Sequence, residues 1–209
     1  MPVTNGYCTL AELKTWVGIG DSVDDSNLEL SINSASRWID SYCGRRFWLD
    51  SSGVARTFEA TDQHVIPIDD LGSTTGLTIK IDQDRDGTFE TTLAASDYLL
   101  LPDDAATASP EAEPYSSIHA VGAYVWPLRY PGMTRTALVQ VTGRWGWPAV
   151  PDPVKQACLI EAHRLFTRRK SPEGVAGFND FGVVRLSRTL DPEVTALLDP
   201  YRLARVLAA

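Results

Sequence analysis

The residues best suited to chemistry lie in the run Asp82 to Gly87, which has acids at positions 1, 3 and 5 and glycine at position 6, as in the calcium loop of an EF-hand. Asp82, Asp84 and Asp86 are the candidate ligands. Position 12 is Leu93, where an EF-hand carries a bidentate glutamate. The flanking residues alternate between apolar and polar, as strands do. The pattern therefore favours a hairpin turn, with weak calcium binding as the alternative.

Catalytic chemistry has few candidate residues in this chain. His64, His119 and His163 fall in different predicted elements, and Glu161 stands two residues from His163, so that the two face apart on a helix. The chain lacks the short motifs of serine hydrolases, zinc proteases and nucleotide-binding loops. We predict that the protein is not an enzyme and uses no cofactor. A triad assembled only by the fold stays open as an alternative.

The three cysteines, Cys8, Cys43 and Cys158, lie far apart without CxxC spacing. Two of them fall on apolar helix faces, where cysteine behaves as a small hydrophobic residue. We expect reduced core residues in a reducing compartment, in preference to metal ligands or nucleophiles.

Negative charge is concentrated in one central segment. Nine acids and one base, Arg85, lie between Asp82 and Glu113, which leaves 18 acids and 18 bases elsewhere and accounts for the net charge of −8. Phosphate contacts need a basic face, so the composition disfavours a general nucleic-acid binder, although a local arginine cluster stays possible.

The 209 residues, 44% of them apolar, are enough for one substantial core or a core with a smaller inserted lobe. No apolar run reaches the roughly 18 residues that span a bilayer. The N-terminus lacks a charged region followed by an apolar one. We expect a soluble chain without a cleaved leader and without a membrane partner.

Helices are predicted at both ends of the chain from cap residues and from apolar residues at three- and four-residue spacing. The first runs from Leu10 to Val17, with Thr9 and Glu12 at capping-box spacing and with Gly18 and Gly20 breaking the helix. The second is capped by Asp24 or a neighbour and ends at Gly44. Its apolar stripe consists of Leu28, Ile32, Ala35, Ile39 and Tyr42.

Two more helices are predicted in the C-terminal part. Asp152 is the expected cap, and Pro153 the first residue, of a helix that extends to Lys170. Asp191 and Pro192 repeat this signal, and a second Asp-Pro pair at Asp199 predicts a bend.

Between these helices the chain alternates with period two, which is typical of strands. Leu77 to Ile81 and Phe89 to Leu93 are expected to form a hairpin. Further strands are predicted at Arg56–Ala60, His64–Ile68, Tyr98–Leu101 and Leu138–Val141, and Pro102–Ser117 is predicted to be a polar loop.

The fold class that follows is α+β, a small α-helical bundle with an inserted antiparallel β-rich lobe. The predicted boundaries are 1–50 for the N-terminal helices, 51–149 for the lobe and 150–209 for the C-terminal helices, which include a glycine-rich loop at 174–182.

Several residues suit contact with another protein better than chemistry. The loop from Gly174 to Gly182 carries apolar side chains that water alone would not favour. Trp38 lies off the apolar stripe of its helix and fits either edge packing within the monomer or a neighbouring subunit. The cations at the end of the third helix are either solvated or paired with an acidic neighbour. These candidate residues for contact between subunits are Trp38, Arg168, Arg169, Lys170, Val175, Phe178 and Phe181.

Four phrases, YCTLAELKTWVG, SRWIDSYCGRRFW, VTGRWGWPAVPDPVKQA and SRTLDPEVTALLDPYR, resemble the head-to-tail connector, or adaptor, proteins of long-tailed bacteriophages, in the variant with a β insertion. The similarity spans almost the whole chain. It is strongest in Tyr7–Phe47 and Gly143–Arg202 and weakest in the acidic insertion.

The resemblance implies a structural virion protein that forms a ring of about twelve copies between the portal and the head-closure or stopper protein of the neck. The ring would assemble in the host cytoplasm, lie at the head-tail interface and line the channel through which double-stranded DNA passes as cargo. Another neck or tail-completion protein is the nearest alternative, and a calcium-dependent binding module is the alternative from a different class. By analogy, the loop from Gly174 to Gly182 reaches towards the channel or a neighbouring subunit, and the segment from Asp191 to Leu207 docks on the portal. The implied portal contacts are Pro192, Leu197, Leu198, Tyr201, Arg202, Leu203, Arg205, Val206 and Leu207.

Overall fold

The computed structural model describes residues 2–60, 62–105, 112–128, 138–169 and 191–203, together with the backbone of two short strands at 175–176 and 184–185. The chain divides into two compact units. A helical unit combines Met1–Phe47 with Val150–Ala209, and a β unit consists of Trp48–Ala149. The described residues contain helices and an antiparallel sheet, so the predicted α+β class is confirmed.

The helical unit begins with α1 (Leu10–Val17) and α2 (Asp25–Cys43). The predicted capping box of α1 is present, because the Thr9 hydroxyl accepts from the Glu12 amide and the Glu12 carboxylate accepts from the Thr9 amide at 2.7 Å. Both helices end at glycines in the left-handed conformation, Gly18 and Gly44, as the sequence predicts.

The cap predicted at Asp24 is wrong in its chemistry. Asp24 occupies the N-cap position of α2, but its side chain makes no cap hydrogen bond. Its carboxylate instead accepts from the Arg169 guanidinium at 2.9 Å and from the Asn27 amide group at 3.3 Å. A long-range ion pair has therefore replaced the local cap.

The C-terminal part of this unit contains α3 (Asp152–Arg168), the hairpin strands β7 (Val175–Ala176) and β8 (Val184–Arg185), α4 (Pro192–Leu198) and a 3₁₀ turn (Asp199–Tyr201). The cap predicted at Asp152 is wrong by one residue, since Asp152 is already helical and Pro151 precedes it without a side-chain cap. At α4 the predicted cap is confirmed, because the Asp191 carboxylate accepts from the Glu193 amide at 2.9 Å.

The core of the helical unit lies where α2 and α3 pack together, with α1 against both and α4 against α3. Burial of an aliphatic side chain stabilises a fold by about 1.5–3 kcal/mol, so this seam provides most of the cohesion of the unit. The fully buried side chains of the four helices include Leu13, Leu28, Ile32, Ala35, Ile39, Val154, Ala157, Ala162, Val194 and Leu198.

The β unit contains β1 (Val54–Phe58), β2 (Val65–Ile81), β3 (Thr91–Thr92), β4 (Tyr98–Leu101), β5 (Tyr115–Ala120) and β6 (Val139–Trp145). They form one antiparallel sheet in the order β1-β6-β2-β5-β4, with β3 paired to the end of β2. The two strand segments predicted at His64–Ile68 and Leu77–Ile81 are parts of the single strand β2. Its first half pairs with β5 and its second half with β6, and irregular register separates the two.

The loop predicted at Pro102–Ser117 is wrong in its last three residues, which begin β5. Ile118 of this strand is fully buried against β2. The polar residues that precede Ile118 hid this strand from the sequence pattern. Core residues on the neighbouring strands alternate as expected, and β6 places Val139, Val141 and Trp145 inside.

Gly146 closes the turn after β6 and admits no other residue. Its φ of 109° lies in the left-handed region, and an added Cβ would stand 1.9 Å from the carbonyl oxygen of Trp48. This close approach explains the glycine within the tryptophan-rich phrase RWGW of the sequence.

Candidate functional site

The C-terminal segment, which the resemblance implicates in docking, is anchored to the end of α2 by its backbone and by aromatic contacts. The Leu203 amide donates to the Cys43 carbonyl at 2.9 Å. The Arg202 guanidinium lies 5.0 Å above the Tyr42 ring, and Tyr201 meets Phe47 edge to face at 5.8 Å. The segment from Pro192 to Leu203 thus has a defined position on the helical unit.

The candidate docking residues differ in what they expose. Leu198 is fully buried, so its side chain belongs to the core of the unit, and its contact with the portal stays a prediction. Pro192 and Arg202 are exposed, as is Leu203, at 46% of its surface. Leu197 and Tyr201 are half-buried. Arg205, Val206 and Leu207 lie outside the described residues.

Glu161, which the sequence did not indicate as a site residue, is a buried carboxylate that contacts the start of the C-terminal segment. Glu161 of α3 is fully buried and accepts from the Arg164 guanidinium at 3.3 Å and, weakly, from the Asp191 amide at 3.5 Å. The signal in the sequence is its place on the apolar stripe of α3, seven residues after Val154. His163 lies on the same helix and is half-buried. Glu161 therefore helps to orient α4 from within the unit.

The outer face of α2 carries apolar side chains opposite its buried stripe. Trp38 exposes 40% of its surface and Leu30 exposes 54%, whereas Ile32 and Ile39 on the inner side of the same helix are fully buried. Exposed tryptophan is enriched in protein interfaces. Leu30 and Trp38 therefore give α2 exposed apolar surface that suits a protein partner.

The cations at the end of α3 have partners within the chain, or are only half exposed. Arg169 pairs with Asp24 at 2.9 Å and lies 4.9 Å above the Phe166 ring, and Arg168 is half-buried. Lys170, Phe178 and Phe181 lie outside the described residues. Val175 is in β7, whose backbone pairs with β8.

The acidic turn of the β unit forms the predicted hairpin between β2 and β3. Asp82, Asp84 and Asp86, joined by Glu90, place carboxylate oxygens within 4.8 Å of one another, and these are the described residues that best fit a cation. Glu90, which the sequence analysis did not name, stands at position 9 of the loop, where an EF-hand often coordinates its ion through a water molecule.

Backbone amides already use these oxygens. The Gly87 amide donates to Asp82 at 2.9 Å, the Thr88 amide to Asp86 at 2.7 Å and the Gln83 amide to Glu90 at 2.9 Å. The acids thus close a tight turn.

The histidines do not meet as one group. His64 and His119 come together at the paired ends of β2 and β5, where Asp62 lies beside both, whereas His163 belongs to the other unit. The His64 amide, followed by the Val65 amide and the two imidazoles, lowers the pKa of Asp62. This carboxylate is solvent-exposed and its described neighbours include no nucleophile paired with a base.

Net charge separates by unit. Trp48–Ala149 carries 14 acidic and 6 basic side chains, whereas the helical unit carries 13 of each. The β unit therefore repels phosphate, and the helical unit has no excess charge. Among the described residues, no helix is long and apolar enough to cross a membrane.

Comparison with known proteins agrees with the resemblance found in the sequence. Residues 7–93 match the family model of the Phage gp6-like head-tail connector protein. A chain in the neck of an empty gene transfer agent particle, computed with C6 symmetry, has a similar fold with a TM-score of 0.57 and 20% identity, over 100% of this chain and 96% of that one. A chain in the virion of a native gene transfer agent particle is similar at a TM-score of 0.55, with the same identity and coverage. No curated protein sequence matches.

Proposed function

We propose that this protein is a structural connector in the neck of a phage-like particle, where it joins the head to the tail. The observation that carries the proposal is the match of residues 7–93 to head-tail connector proteins, which covers α1, α2 and the first three strands. A fold like that of a neck protein over the full length supports it. A connector needs surfaces for contact with other proteins and does not need a catalytic centre, and the exposed apolar residues of this chain supply such surfaces.

The working form of the protein in this proposal is a ring. The similar neck was computed with C6 symmetry, and a ring of about twelve copies is compatible with that symmetry. The exposed face of α2, with Trp38 and Leu30, supplies apolar surface for a neighbouring copy. The end of α3 with Arg168, Arg169 and Lys170, and the loop with Val175, Phe178 and Phe181, complete the proposed contacts between subunits or towards the channel.

The C-terminal segment is the proposed docking element for the portal. Pro192, Arg202 and Leu203 expose side chains on a segment that contacts within the helical unit already hold in place. A preformed surface of this kind binds at a lower entropic cost than a free tail. Leu197, Tyr201, Arg205, Val206 and Leu207 extend the proposed surface.

The β unit, Trp48–Ala149, is proposed to act as an insertion into the connector scaffold, with helices of 1–50 and 150–209 forming that scaffold. Its negative charge suits a protein that lines a DNA channel, because an acidic surface repels the phosphate backbone and lets the DNA slide through without binding. The head-closure protein of the neck is the expected partner on the side of the ring that faces away from the portal. Assembly is expected in the host cytoplasm, and the final location is the virion.

Solution mass tests the proposal. Mass photometry of the chain alone, and mixed with the portal assembly encoded in the same genome, is expected to show a ring or the addition of several copies to the portal. Truncation after Asp199 should abolish portal addition, whereas Leu99→Ser, on the β unit, should leave it unchanged. A chain that stays monomeric and ignores the portal would contradict the proposal and favour another neck or tail-completion position.

A further inference from the structure

Two of the three cysteines lie side by side in the core of the helical unit. The Sγ atoms of Cys8 and Cys158 are 3.5 Å apart, although 150 residues separate them in the sequence. Cys8 precedes α1 and is 3% exposed, and Cys158 is in the middle of α3 and fully buried. A disulfide has a bond of about 2.05 Å, so the sulfurs need to approach by about 1.5 Å to form one.

The surroundings of Cys158 favour its thiolate. The contact with the Cys8 thiol is the main cause of the lowered pKa of Cys158. Burial opposes it, and the contact with Ser36 at 3.5 Å and the amides of Tyr7 and Cys8 add to the lowering. The same contact and burial raise the pKa of Cys8. The 3.5 Å contact places each thiol within reach of the other, so that one can attack the other once an oxidant has converted it.

Cys43 provides the contrast within the same unit. It is also a buried free cysteine, but its sulfur contacts the Leu198 carbonyl, at 4.0 Å, instead of a second thiol. Burial raises the pKa of Cys43 to about 12. This cysteine has neither a partner thiol nor a stabilised thiolate.

We propose that Cys8 and Cys158 are a modification site at which a small peroxide oxidant forms an internal disulfide. The Cys158 thiolate attacks one peroxide oxygen to give a sulfenic acid, and the other oxygen leaves as hydroxide, which takes up a proton to form water. The Cys8 thiol then attacks the sulfenic sulfur, and a second water leaves with its proton. The two sulfurs are oxidised and the peroxide is reduced. This inference goes beyond the connector role and does not rest on it.

The disulfide would tie the segment before α1 to the middle of α3. It closes a loop of 150 residues, which reduces the freedom of the unfolded chain. The Tm of the oxidised helical unit is therefore expected to rise by roughly 5–15 °C. The reduced protein folds around the same contact, so the modification adds stability without a change of fold.

Peptide mapping after oxidation tests the proposal on the full chain. Reduced protein is treated with hydrogen peroxide, unfolded in an alkylating reagent and digested for mass spectrometry. The expected product is a peptide pair joined through Cys8 and Cys158, with Cys43 still alkylated, and reductant should reverse both the link and the rise in Tm. Cys43→Ala should oxidise as the wild type does, and Cys8→Ala should lose the link.

Either of two results would overturn the proposal. One is full alkylation of Cys8 and Cys158 after oxidant has converted an exposed control thiol. The other is oxidation that joins Cys43 as often as Cys8, or that joins separate chains. The mapping of the wild-type protein gives this answer even if an alanine variant fails to fold.

Discussion

Replacement of Tyr7 by phenylalanine should destabilise the helical unit more than its single hydroxyl group suggests. This hydroxyl donates to the Asp40 carboxylate and accepts from the Phe47 amide at 2.9 Å. Tyr7 is 2% exposed, so water cannot replace both contacts at the same site. The Arg37 guanidinium, 2.9 Å from the other Asp40 oxygen, would remain.

The magnitude follows from the two lost hydrogen bonds. A bond to a charged group contributes about 1.5–3 kcal/mol, and an unsatisfied buried amide costs about 1–3 kcal/mol. We expect Tyr7→Phe to lower the free energy of unfolding by about 3 kcal/mol at neutral pH, because Arg37 retains part of the pairing. For a chain of this size that corresponds to a fall in Tm of roughly 6–12 °C.

The effect should depend on pH in a defined direction. Burial raises the pKa of Asp40, and the Tyr7 hydroxyl is the main opposing influence. An acid whose folded pKa is raised gains stability as the pH falls through that pKa, and removal of the hydroxyl raises it further. The difference between wild type and Tyr7→Phe should therefore shrink to about half on going from about pH 7 to about pH 4.

Tyr42→Phe is the matched control. Tyr42 also donates to a carboxylate, that of Asp199 at 2.6 Å, but at an exposed site where water can take over. Thermal and urea unfolding of both variants would give the comparison, with a change of about 0.5 kcal/mol or less expected for Tyr42→Phe. The reasoning is refuted if the two variants are equally mild, or if the loss in Tyr7→Phe is the same at both pH values.

Three further predictions concern single groups. The side chain of Lys155, 2.5 Å from the Glu12 carboxylate, and then the Thr9 amide lower the pKa of Glu12 to about 2. Glu12→Gln should therefore lower Tm at neutral pH, and this effect should disappear as the pH falls from about 4.5 to 2. A difference in Tm that does not change with pH would contradict this. Trp38→Ala should reduce self-association in mass photometry and leave Tm within about 2 °C, whereas a large fall in Tm would place its role within the monomer. Calcium at about 1 mM should leave Tm unchanged, and a rise that Asp84→Asn abolishes would show that the acidic turn binds the ion.

Local signals in the sequence predicted the ends of several elements. Thr9 and Glu12 form their capping box, Asp191 caps α4, and Gly18 and Gly44 end the first two helices. Each of these features depends on residues within four positions of one another, so composition and spacing are enough.

The errors arose where distant residues decide the outcome. The Asp24 side chain pairs with Arg169 instead of capping α2. Ile118 lies in strand β5, which pairs with β2 although the residues before Ile118 are mostly polar. Glu161, read as a charged residue beside His163, is buried under α4. The sites that matter most share this origin: the Cys8–Cys158 pair and the anchoring of Leu203 to Cys43 both join opposite ends of the chain.

The sequence by itself determined the helix caps, the α+β class, the acidic turn and the resemblance to connector proteins. The tertiary structure alone decided which of the apolar and polar side chains meet. Helix caps and strand alternation are set by backbone geometry over a few residues, whereas contacts such as those of Tyr7 and Cys158 exist only after α2 and α3 have packed. The burial of Leu198 and the exposure of Trp38 follow from the same packing, because a helix stripe becomes core only where another element covers it.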